Sequence, residues 1–147
     1  MENFDRARRI RALCLGDKGL LANLLDSMGQ IEEPRLLKGP EAGLLMVRGK
    51  VSGSGAAFNL GEALLTRCVL AIGDKVGYGF KLGLDPEGAL LSAMGDALAQ
   101  DPEKRGQMDS IALSLEEAIN EGDALEREKA LKTKVDFLTM TRGEDDD

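Results

Sequence analysis

The chain has 147 residues, 43% of them hydrophobic, and a formal net charge of −7, which implies one domain over residues 1–147 with apolar content for a single core. It contains no histidine, which excludes a Ser–His–Asp triad, an imidazole general base and a histidine metal ligand. Its two cysteines, Cys14 and Cys68, are too far apart for a CxxC pair and too few for a four-cysteine zinc or iron–sulfur site; their apolar neighbours predict buried, inert thiols.

The first thirty residues predict a helical hairpin. "FDRARRIRALCL" spaces Phe4, Ala7, Ile10, Leu13 and Cys14 at helical period,. Its arginines, Arg6, Arg8, Arg9 and Arg11, read as a solvated helix face. A net-negative chain repels nucleic acid, and one Tyr and four Phe offer few stacking platforms, so no nucleic-acid partner is expected. The segment lacks the apolar stretch and cleavage site of a secretory signal, and no apolar run approaches a membrane span. The expectation is a cytoplasmic protein without membrane attachment. "DKGLLANLLDSMG" follows, with Leu20, Leu21, Leu24, Leu25 and Met28 on one stripe, Asp17 as N-cap and Gly29 as C-cap.

Pro34, Gly39 and Pro40 then break the pattern, and "GLLMVRGKV" alternates with Leu45, Val47 and Val51 on one side,. "EALLTRCVLAI" puts Leu64, Thr66, Cys68, Leu70 and Ile72 on one face. After a tight "GDK" turn, "VGYGFKLG" puts Val76, Tyr78, Phe80 and Leu82 on one face and Gly77, Gly79, Lys81 and Gly83 on the other. A glycine-lined strand face lets another backbone approach closely, either within the fold or in a homodimer.

Asp85 as N-cap and Pro86 in the first turn open a helix with Leu90, Leu91, Met94, Ala97 and Leu98 as its buried stripe. "QDPEKRGQ" reads as a loop. The capping box Ser114-x-x-Glu117 opens a last helix to about residue 133, with Ala118, Ile119 and Leu125 near one face,. The apolar tail "VDFLTMTRG" reads as a strand or loop docked on the chain's own sheet, or as a partner surface. The element order predicts an α+β fold: an antiparallel sheet of three or more strands, an N-terminal helical hairpin and two further covering helices.

Two constellations carry candidate chemistry. "VSGSGAAF" is neither a Walker loop nor a GxGxxG fingerprint. Gly53, Ser54 and Gly55 read first as a strand connection and second as an anion-binding nest. Thr66 and Arg67 lie in the second strand, with Arg67 facing away from Leu64 and Cys68, where it reads first as a solvated or salt-bridged surface group and second as a contact to a phosphate or carboxylate of a ligand or partner. An autonomous phosphate-ester-binding protein without catalysis is the alternative reading that these residues allow.

Three stretches in this order, "FNLGEALLTRCVLAIGDKVGYGFKLGLD", "MGDALAQ" and "KVDFLTMTRGE", resemble the PhnG family, subunits of the bacterial carbon–phosphorus lyase core complex. The sharpest marks are the run Gly53, Gly55, Phe58, Gly61, Glu62, Thr66, Arg67 and the terminal Val135, Asp136, Phe137, Thr139, Met140, Arg142, Gly143. Leu84 and Leu90 stand where the family pattern has an arginine and an acidic residue.

The resemblance implies a supporting subunit of a multisubunit transferase that joins an alkylphosphonate to the ribose C1′ of ATP, releasing adenine. It implies PhnI, PhnH and PhnJ as core partners and PhnK and PhnL as nucleotide-binding-cassette subunits. ATP and alkylphosphonate would be substrates of the complex, with no cofactor bound by this chain alone and no catalytic residue of its own. Phe137, Met140 and Arg142 become candidate partner contacts beside Gly53, Ser54, Gly55, Thr66 and Arg67.

Overall fold

The structure, a computed structural model, describes residues 5–50 and 57–144, with side chains for 5–46 and 61–131. It is α+β. Helices α1 (Arg6–Leu15) and α2 (Lys18–Asp26) precede strands β1 (Arg35–Lys50), β2 (Ala57–Ile72) and β3 (Lys75–Leu82), and α3 (Pro86–Ala99) and α4 (Arg105–Glu144) follow. The strands form an antiparallel sheet in the order β1-β2-β3.

The helix starts follow the sequence. Asp5, Asp17 and Asp85 each accept a hydrogen bond from the backbone N–H three residues on, at 2.7, 2.9 and 3.0 Å, and so satisfy amides with no partner inside the helix. Helix α2 ends earlier than expected, at Asp26 with Ser27 as C-cap, and Gly29 takes its positive φ two residues later. Gly73, at φ +60°, makes the tight turn into β3.

The glycine face of β3 is the buried one, and α3 lies on it. A β-carbon added at Gly77 would sit 2.7 Å from the Ala97 nitrogen and 2.8 Å from its β-carbon; one at Gly79 would sit 2.8 Å from the Ala93 β-carbon. The matching face of α3 is Ala89, Ala93 and Ala97, spaced one turn apart and all buried. This alanine stripe replaces the expected Leu90, Leu91 and Met94, which are only partly buried against the core. Backbone meets backbone, so the glycine face is not free to pair two copies of the chain. Thr66, Cys68, Leu70 and Ile72 of β2 are buried on the same side, whereas Leu64 is 42% exposed.

Polar groups lock α1 and α3 over the outer edge of β3. Asp96, fully buried, accepts the Tyr78 N–H at 2.9 Å and a two-pronged contact from Arg6 at 3.2 and 2.8 Å. Gln100 donates to the Val76 carbonyl at 2.6 Å, and Arg6 stacks over the Tyr78 ring at 5.5 Å,. These contacts occupy edge groups that a further strand would otherwise take. Ser92 donates to the Leu13 carbonyl at 3.0 Å and the buried Lys81 ammonium to that of Gly16, so two orphan carbonyls at the end of α1 are satisfied,. Burial pushes Lys81 below the usual lysine range, while Cys14, Asp85 and Asp17 draw it back.

Three of the four arginines of α1 are therefore more than a solvated face, while Arg11 is exposed. Besides Arg6, Arg9 is buried and pairs with Asp109 at 3.2 Å, and Arg8 forks onto Glu116 with two 2.8 Å bonds,. Arg8 holds the Glu116 carboxyl below its ordinary range. Both acids lie on α4, which starts nine residues before the expected capping box because Met108, Ile111, Ala112 and Leu115 form one buried stripe,. Beyond it, Ala118 is exposed and Leu125 is 59% exposed. The helix continues through Glu144, so the tail is helical rather than a docked strand or loop.

Two outcomes are expected. Gly79→Val destabilises the chain by about 3 kcal/mol in urea unfolding, the upper end for overpacking, because α3 backbone and not a movable side chain is in the way,. The Arg8–Glu116 contribution is complete above the ordinary Glu value of 4.5 and is lost as pH falls through the lowered folded value,. Thermal melts should show the parent's advantage over Glu116→Gln greatest near neutrality and closing on acidification.

Candidate functional site

Among the described residues, the helices cover one face of the sheet and leave the other bare. On the bare side lie Tyr78 and Leu82, 43% and 59% exposed, with Phe80 half-buried between them. Phe80 stands opposite Arg67, and Leu82 opposite Leu65. Here Glu41, Ala42, Gly43, Leu44, Leu45, Leu65, Arg67 and Phe80 line an open depression of about 410 Å³.

Lengths explain the exposure. Strands β1 and β2 have 16 residues each, β3 has 8, and β3 pairs with only Leu65–Ile72 of β2. The outer halves of β1 and β2 therefore run on as a two-stranded ribbon. Leu44, Leu45 and Met46 on this arm are 67%, 51% and 52% exposed. Such a ribbon is poorly stable in water by itself. Helix α4, with 40 residues and a length of about 60 Å, is a second arm, exposed from Asn120 to Leu131.

The expected site residues separate. Thr66 is buried: its hydroxyl donates to the Gly83 carbonyl at 2.6 Å and accepts the Asp85 N–H at 3.0 Å. It ties β2 to the start of α3. Arg67 lies on the bare face as expected and donates to Glu41 across the strand at 2.6 Å. That guanidinium holds the Glu41 carboxyl below its usual range, with Lys38 adding to it. Gly53, Ser54 and Gly55 lie outside the described residues. Phe137, Met140 and Arg142 fall on α4, and their side chains also lie outside the described ones.

Sequence reasoning missed the edge residues Leu44 and Met46. Their signal was a run of consecutive apolar residues in a strand, which cannot all point to one core. It also placed breakers at Gly39 and Pro40, where β1 continues through register shifts between Leu36 and Lys38 and between Lys38 and Glu41. Proline is tolerated there because β1 is an edge strand and Pro40 falls within a register shift, where it has no ladder partner,.

Among the described residues, no group of three or more His, Cys, Asp or Glu side chains could hold a metal ion, and no helix is long and apolar enough to cross a membrane. Cys14 and Cys68 are free, and burial raises both thiols above the ordinary value, which keeps them protonated,.

A bare apolar sheet face beside two extended elements is the kind of surface that protein–protein contacts use. The family model described as "Phosphonate metabolism protein PhnG" matches residues 4–143, and the chain belongs to that family. It is 37% identical, over 96% of its own length and 91% of the relative's, to "Alpha-D-ribose 1-methylphosphonate 5-triphosphate synthase subunit PhnG" of Rhizobium meliloti (strain 1021).

Substitutions separate the two candidates on β2. Thr66→Val takes the partner from a half-buried carbonyl and a half-buried N–H and should cost about 1 kcal/mol in chemical denaturation,. Arg67→Ala breaks only an exposed pair and should leave the denaturation midpoint where it was,.

Proposed function

We propose that this chain is a supporting subunit of a transferase that joins an alkylphosphonate to the ribose C1′ of ATP and releases adenine, a step in organic phosphonate catabolism. The observation that carries this reading is the 37% identity to a named synthase subunit across nearly the full length of both chains. The bare sheet face and the arms support a docking role. Without histidine, the chain lacks the commonest general base for activating water or a hydroxyl, and it acts by seating and shaping other subunits.

In this reading PhnI, PhnH and PhnJ are its core partners, and PhnK and PhnL join as nucleotide-binding-cassette subunits. ATP and the phosphonate are substrates of the assembly, and no cofactor belongs to this chain alone. The site of action is the cytoplasm, where ATP is supplied.

The test is co-expression of the other synthase subunits with and without this chain, followed by assay of adenine release from ATP with methylphosphonate. Adenine release is expected only when the chain is present, and none from the chain alone. Equal release without it would overturn the reading.

A further inference from the structure

The two edges of the sheet are treated differently. The outer edge of β3 is closed by Asp96 on the Tyr78 N–H and by Gln100 on the Val76 carbonyl. Among the described residues, β1 has β2 as its only neighbour strand, and no hydrogen bond from another element reaches its outer side at Ala42–Met46. A row of unpaired backbone donors and acceptors is a template for another strand.

Most of β1 carries features that discourage such pairing. Lys38, Pro40 and two register shifts interrupt its first part, and a third shift falls between Val47 and Arg48,. Between these lies a regular stretch, Glu41 to Val47, paired to β2 without a break. Its centre, Ala42 to Met46, has no charge and no proline. Leu44 and Leu45 point to opposite faces, and both are more than half exposed. A covering element must therefore supply apolar side chains on both faces, which an added strand with its own flanking structure does.

Charge identifies the kind of strand. In a chain of net charge −7, β1 carries four cations, Arg35, Lys38, Arg48 and Lys50, against the single anion Glu41. The cations flank the bare stretch at both ends. Two copies of β1 laid edge to edge would bring these like charges together. A strand with an apolar centre and acidic flanks meets them favourably.

We propose that Ala42–Met46 is a strand-addition site that takes an acidic-flanked, apolar β-strand from another subunit of the assembly, extending the sheet beyond β1. The proposal rests on the reading of the chain as a synthase subunit and assigns the contact that this reading leaves open. Main-chain bonds along the bare stretch supply affinity, and the flanking cations set register and partner.

The test compares hydrogen exchange in the free chain and in the complex co-expressed with the other synthase subunits. Within residues 42–46, the alternate amides facing away from β2 should be slowed by about a hundredfold or more in the complex, as for newly paired strand amides. Leu44→Glu with Leu45→Glu should keep the parent's Tm, because both side chains are already exposed, and reduce recovery of the complex by about tenfold or more. A complex that forms while these amides stay unprotected would overturn the proposal, whether or not the double variant folds. So would an undiminished complex with the folded double variant, or protection that appears equally in a dimer of the isolated chain. In these cases the adenine-release assay still requires the chain, and the subunit reading stands. Adenine release that does not need the chain at all would remove both.

Discussion

The contact on which the rest of the fold depends is the backbone-to-backbone seating of α3 on β3. With no β-carbons at Gly77 and Gly79 and only methyl groups at Ala89, Ala93 and Ala97, the helix sinks closer to the sheet than ordinary side chains allow,. That depth brings Asp96 to the edge of β3, where one carboxylate serves both the Tyr78 N–H and the Arg6 guanidinium. A buried carboxylate is tolerable only when its oxygens are so occupied. Arg6 in turn positions α1, whose Arg8 and Arg9 hold α4. The order of dependence runs from glycine, to alanine, to a buried acid, to an arginine-rich helix.

With one sheet face and one sheet edge spent in this way, the remaining surface is sharply divided. Among the described residues, the side of β3 that carries Tyr78, Phe80 and Leu82 has no helix over it, and the β1–β2 ribbon and α4 extend past the packed body. In a lone protein such exposed apolar area is a liability. The chain is 37% identical to a protein named as a synthase subunit, and exposed apolar area of this kind is what contacts between subunits use.

The helix caps, the β2–β3 hairpin and the α+β class were legible because each depends on residues close together in the chain. Asp85 before Pro86, and Gly73 between two alternating strands, act within a few bonds,. The glycine face of β3 was also legible as a place of close approach. What lay on it was not, because Ala89, Ala93 and Ala97 look like filler beside Leu90, Leu91 and Met94, and apolar periodicity ranks leucine above alanine. The start of α4 was misplaced for a related reason: a sound capping box at Ser114 drew attention from the longer stripe that begins at Met108. The role of Thr66 could not be read locally, since its partners at Gly83 and Asp85 become neighbours only when the hairpin closes.

By itself the sequence determined the element types, the caps, the turn chemistry, the exclusion of histidine-based catalysis and the family resemblance, all properties of residue identity and short spacing. Only the tertiary structure decided that Arg6, Arg8 and Arg9 of α1 pair with acids on α3 and α4, that the glycine face of β3 is sealed, and that, among the described residues, one edge of β1 is left bare. Those outcomes depend on which surfaces meet. Burial and ion pairing are settled between residues 90 to 108 positions apart, such as Arg6 with Asp96 and Arg8 with Glu116, and no local pattern encodes such a meeting.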